Sequence, residues 1–85
     1  MNFEEIKGKY KAKKSFAIIA INIKKKSLEK VNIYKNDIWE LVNGVIRNIP
    51  NSSSEEEIIY LVFKKGDLGF QLQYNDFLRL FSERL

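Results

Sequence analysis

Two kinds of stretch alternate along the chain: continuous apolar runs, and stretches where apolar and polar residues take turns. FAIIAINI (16–23) and EIIYLVF (57–63) are continuous, rich in β-branched residues and of strand length. That pattern predicts strands buried on both faces, or nearly so. VNIY (31–34) and LGFQLQY (68–74) alternate instead. In the first, Val31 and Ile33 fall on one side and Asn32 and Tyr34 on the other. In the second, Leu68, Phe70, Leu72 and Tyr74 oppose Gly69, Gln71 and Gln73. Each continuous run precedes an alternating one, which predicts two antiparallel hairpins. One would close through the charged connection KKKSLEK (24–30), the other through KKGD (64–67), where Gly66 can take a positive φ.

The remaining apolar residues follow a helical period. Ile38, Leu41, Val42, Val45 and Ile49 recur at helical spacing behind Asn36-Asp37, either of which can cap the first turn, and Pro50 ends the pattern. Asn75-Asp76 precedes a second such segment, 76–85, with Phe77, Leu80 and Phe81 inward. Phe3, Ile6 and Tyr10 share a helical face near the start, with Asn2 and Glu5 in a capping-box arrangement; a basic extended arm is the alternative for residues 1–14. NSSSEEE (51–57) reads as a polar linker. The chain thus predicts a single domain, 1–85, of two β-β-α units spanning 15–50 and 58–85. A lone hairpin is marginal in water. Two units together predict an α+β fold: a four-stranded antiparallel sheet with helices on one face, preceded by a short N-terminal helix or arm. The strand-cap-helix units are similar in pattern to those of Whirly, PUR and transcriptional-coactivator-type single-strand binders, which place several strands before one helix where this chain alternates. No site is carried over from that likeness.

Composition narrows the chemistry. With no cysteine and no histidine among 85 residues, there is no thiolate, no disulfide and no imidazole base or ligand. An enzyme would have to work with carboxylates, lysine or tyrosine alone, and no P-loop, G-x-G-x-x-G or G-x-S-x-G stretch occurs. The expectation is a non-enzymatic protein without cofactor or metal. Glu55, Glu56 and Glu57 read as solubilising residues of the linker.

Charge changes the picture more. The net +4 is uneven: residues 1–35 carry ten lysines against three glutamates, and the rest is net acidic. The densest basic cluster is Lys24, Lys25 and Lys26 with Lys30, which Lys7, Lys9, Lys11, Lys13 and Lys14 could extend into one patch. Helices on one face would leave Asn32, Tyr34, Gln71 and Gln73 on the other, rimmed by the hairpin lysines, Lys64 and Lys65 among them. Polar groups, an aromatic and a basic rim suit single-strand recognition; they are also what a solvated sheet face displays. Trp39 stands beside the helical stripe, either as an interface anchor or covered by the N-terminal segment. Lysine in place of arginine favours phosphate contact over base reading.

The candidate binding set is therefore Lys24, Lys25, Lys26, Lys30, Tyr34, Trp39, Lys64, Lys65, Gln71 and Gln73. No apolar run is long enough to span a bilayer, and the start lacks the apolar core of a signal peptide, so a cytoplasmic protein without a membrane partner is expected. Twelve lysines against three arginines, with abundant isoleucine and asparagine, suit an AT-rich genome such as a low-GC bacterium or its phage. These features predict a small phage or mobile-element inhibitor, of the anti-CRISPR or another anti-defence type, that binds a nucleic-acid-handling host protein. The alternative is a direct binder of single-stranded DNA or RNA. A sheet edge could also pair with a second copy.

Overall fold

Residues 2–50 and 55–85 are described by the structure, a computed structural model. They form a curled, antiparallel seven-stranded sheet, a half-barrel with one short helix, in place of the expected four strands with helices on one face. A single 3-10 turn, Phe3–Glu5, leads into β1 (Gly8–Ala12), β2 (Phe16–Asn22), β3 (Ser27–Ile33), β4 (Ile38–Pro50), β5 (Glu55–Lys65) and β6 (Leu68–Gln73). Helix α1 (Tyr74–Leu80) and β7 (Phe81–Arg84) follow. The strands lie in the order β3-β2-β6-β5-β4-β1-β7.

The expected hairpins exist, β2 with β3 and β5 with β6. The second turns on Gly66 at φ +60°, a conformation that costs glycine nothing. The first turns earlier than expected. Asn22 pairs with Ser27, the Asn22 side chain accepts from Lys25 N–H at 2.9 Å, and Lys26 takes φ +55°. Most of KKKSLEK is therefore strand.

The expected helix over 38–49 is instead the longest strand. β4 pairs along β5 from Glu40–Lys64 to Pro50–Glu55, with one bulge between Leu41 and Asn43. Trp39 and Leu41 point inward before the bulge, and Gly44, opposite buried Leu61, does so after it. The bulge shifts the alternation by one residue, and this shift made apolar spacing resemble a helical stripe. Ile38, Val42, Val45, Ile46 and Ile49 also favour strand by their β-branching. Residues 51–54 of the expected linker lie outside the described residues, and Glu55, Glu56 and Glu57 belong to β5.

At the start of the chain Asn2 does cap, accepting from Glu4 N–H at 3.0 Å, but for a single 3-10 turn. Gly8, at φ +146°, then turns the chain into β1. The Arg84 guanidinium donates to the carbonyls of Glu5 and Lys7 at 2.8 and 3.1 Å, so the last strand holds the first turn. The second expected helix forms, but shorter. α1 has Gln73 at its N-cap without a side-chain bond, so Asn75 and Asp76 lie inside its first turn.

All of the core lies on the concave side. Phe63 is fully buried at its centre, with rings stacked at 5.3 Å on Phe70 and 4.7 Å on Phe81. Tyr10 meets Phe77 edge-on at 5.0 Å and donates its hydroxyl to the Ile6 carbonyl. Burial raises the Tyr10 pKa above 10.0, against the opposing pull of Arg84. α1 presses Phe77 and Leu80 into this cup, and Phe16 reaches Phe81 at 5.9 Å where the curl brings β2 towards β7. Such aromatic pairs add about 0.5–1.5 kcal/mol each beyond burial.

Candidate functional site: the convex face

One helix on the concave side leaves the convex side of the sheet bare. The continuous apolar strands were expected to be covered twice, and they are covered once. In β2, Ala20 is fully enclosed while Ile19 and Ile21 are 59% and 53% exposed. Ile23 and Leu28, also more than half exposed, extend the same surface. Val62 of β5 lines it farther in.

The strand register orders this face into rows, because antiparallel partners point the same way. Leu28 pairs with Ile21, Ile21 with Gly69, Gly69 with Lys64, Lys64 with Glu40, and Glu40 with Lys9. The row begins apolar at the β3 edge and ends charged at β1. Where it crosses β6, Gly69 has no side chain and lies in a shallow depression of about 510 Å³ that Ile19, Ile21, Ile23, Leu28, Val62, Phe70 and Gln71 also line. Gly69 is in no left-handed conformation, and a Cβ there would sit 3.5 Å from the Phe63 carbonyl oxygen, an ordinary contact. The backbone at this position accepts a side chain; the gap is a property of the surface.

Lysines border the apolar area. Lys30 pairs with Ile19 on the same face. Lys24, Lys25 and Lys26 are exposed in the β2–β3 turn. That turn lies beside the β5–β6 turn, since Ile23 N–H donates to the Asp67 carbonyl at 2.8 Å. The single continuous basic patch does not form. β6, β5 and β4 separate Lys24–Lys26 from the lysines of β1, so the positive charge sits on two flanks.

The other candidates divide. Gln71 and Gln73 are exposed on the convex face as expected, and Asn32 shares it, paired with Ala17. Arg47 reaches Gln71 at 3.5 Å and lies 5.5 Å over the Tyr60 ring. Tyr34 is exposed, but in the turn after β3. Lys64 points to the convex side and Lys65 to the other, its ammonium 5.7 Å above the Trp39 ring. Trp39 itself is 3% exposed, packs edge-on to Phe70 at 4.9 Å and pairs with Tyr10 of β1, so it belongs to the core, with the N-terminal segment running beside it.

Sequence reasoning missed the aliphatic residues that dominate this face, because a continuous apolar run was taken as covered on both sides. The signal that could have found them is the β-branching of Ile38, Val42, Val45, Ile46 and Ile49, which favours a strand and leaves too little helix to cover two faces.

Among the described residues no polar or charged residue is buried, and no group of three or more acidic side chains is placed to hold a metal ion. Nor is any helix long and apolar enough to cross a membrane. No protein family, curated protein or solved structure matches the chain.

Proposed function

We propose that this is a non-catalytic binding protein whose convex sheet face docks a partner protein. The observation that carries the reading is the group of exposed aliphatic side chains, Ile19, Ile21, Ile23 and Leu28, gathered on one side of the sheet. They present on the order of 400 Å² of apolar surface, the size of the largest patch on a typical monomer, which is often functional. With an amino-acid usage that suits an AT-rich genome, the same face suits a cytoplasmic inhibitor of phage or mobile-element origin. Its target would be a nucleic-acid-handling host protein, whose surfaces are built to meet charge.

Direct nucleic-acid binding is the second reading, favoured by the basic flanks and by exposed Tyr34, Gln71 and Gln73. The surface beside the basic turn counts against it: stacking needs aromatic platforms, and next to Lys24, Lys25 and Lys26 the face presents Ile19, Ile21 and Ile23.

Anisotropy titrations with labelled single-stranded and duplex oligonucleotides, at low and physiological salt, test the choice. The expected result is binding at low salt at most, quenched at physiological salt. Binding that survives, and that is lost when Lys24, Lys25 and Lys26 are changed to Glu, replaces this reading with the second. In parallel, the tagged chain should retain a protein from its host that an Ile19→Asp, Ile21→Asp variant does not.

A further inference from the structure

We infer that the gap over Gly69 is an anchor pocket, and that its occupant is a single large apolar side chain on an acidic segment of a partner protein. The inference rests on the convex face being a protein-docking surface and adds the chemistry of what docks there.

The argument has three parts. First, binding energy concentrates where one side chain fills a desolvated pocket ringed by weaker contacts. Gly69 leaves a gap within an otherwise continuous row, between Ile21 and Lys64, where a partner's side chain would be desolvated on docking. Its lining is apolar apart from Gln71.

Second, the pocket's border is basic. Lys24, Lys25 and Lys26 stand at one end, Lys30 beside Ile19, and Lys64 directly across from Gly69. Two acidic residues lie nearby on this side, Asp67 in the adjoining turn and Glu40, which follows Lys64 in the row, against five lysines. An excess of one charge around an apolar centre selects the opposite sign in its partner and disfavours its own. A second copy of the chain, docked face to face about a two-fold axis, would bring lysine against lysine. The symmetry that makes homodimers common works against one here.

Third, the exposed aliphatic area is roughly half of the ~800 Å² that each partner contributes to a standard interface. That suits a short segment laid across β2 and β6 better than a second globular face.

Selection from a phage-displayed library of random peptides against the 85-residue chain tests this without knowledge of the natural partner. Enriched peptides, synthesised and titrated, should share one large apolar residue flanked by Asp or Glu. They should lose about tenfold or more in affinity to a Gly69→Val variant. They should weaken similarly when Lys24, Lys25 and Lys26 become Glu, with circular dichroism confirming that both variants fold. Gly69→Ala, which the backbone accommodates, should lose less than Gly69→Val and melt no lower than the parent chain.

Neutral or basic peptides, bound equally by Gly69→Val but lost on Ile21→Asp, overturn the inference and leave the docking face standing. Peptides indifferent to both substitutions overturn both. Failure to enrich any peptide, or a dimer in sedimentation equilibrium that Ile21→Asp dissociates, also overturns the inference.

Discussion

The segments after the two Asn-Asp pairs begin alike and end differently. Residues 33–42 (IYKNDIWELV) and 72–81 (LQYNDFLRLF) each put alternating residues before Asn-Asp and apolar ones behind it. The first Asn-Asp is a turn. Asn36 takes φ +78°, Asp37 accepts from Tyr34 N–H at 2.8 Å, and a thirteen-residue strand follows. The second opens a seven-residue helix, with Asp76 paired to Arg79 one turn on at 2.8 Å. What separates them lies downstream. Ile38, Val42, Val45 and Ile46 lose side-chain freedom in a helix, whereas Leu78, Arg79 and Leu80 do not. β4 also has β5 beside it from Glu40 to Pro50 and β1 beside it from Ile38 to Leu41, and that pairing outweighs any local preference. Asn-Asp is thus permissive, and its surroundings decide.

The largest effects should show that both segments are core despite their different backbones. Leu41 in β4 and Leu80 in α1 are 1% and 7% exposed. Changing either to Ala should cost roughly 2–5 kcal/mol, read from the shift of a urea melt. A neutral Leu80→Ala would mean that α1 rests on the sheet without stabilising it, and the likeness between the segments would end at sequence.

Next in size is a test that only a strand can answer. Gly44 faces inward against the Phe3 ring, with which an added Cβ would collide. Gly44→Ala should cost about 1–3 kcal/mol as overpacking. Combined with Phe3→Ala, it should cost much less than the two singles added together. Strict additivity would remove Phe3 from the face of β4.

These examples show what could be read ahead of the structure. The β2–β3 and β5–β6 hairpins were legible, because the alternating partner of each pair and the Gly66 turn constrain pairing locally. Gln71 and Gln73 were legible as convex-face residues for the same reason: alternation fixes sides. β4 was not legible, because one bulge near Val42 changes the phase of its alternation and mimics a helical stripe. β1 was hidden by its brevity and by Phe3, Ile6 and Tyr10, whose spacing serves a 3-10 turn followed by a strand. The split of the basic patch followed from strand order, which depends on long-range pairing that no local pattern encodes. The anchor pocket was hidden for a related reason. Gly69 was placed on the polar side of β6, but nothing within the sequence of β6 says that β2 brings Ile21 beside it.

A smaller effect separates the two asparagines. At φ +78° Asn36 occupies a region that β-branched residues avoid. Asn36→Val should therefore cost about 1–2 kcal/mol, and Asn36→Gly no more than a few tenths. Asn75→Val, in the exposed first turn of α1, should change stability by only a few tenths. Equal losses at both positions in thermal melts would mean that the turn geometry is not what Asn36 provides.

The smallest pair asks whether the aspartates differ in kind as well as degree. Asp37 anchors its turn by accepting from a backbone N–H, a geometric role that should contribute about 1 kcal/mol. Asp76 offers a charge instead: to Arg79 across an exposed pair and to the positive end of a short helix. Each of those is a few tenths of a kcal/mol and is screened by ions. Asp37→Ala should thus destabilise more than Asp76→Ala at low salt. The gap between them should widen in molar sodium chloride, where the Debye length shrinks to about 3 Å and the Asp76 contribution fades while the Asp37 hydrogen bond persists. Urea melts of both variants at low and high salt measure this directly. If the two losses fade together, the Asp37 contact is electrostatic as well, and the contrast between the turn and the helix rests on Asn36 and the downstream residues alone.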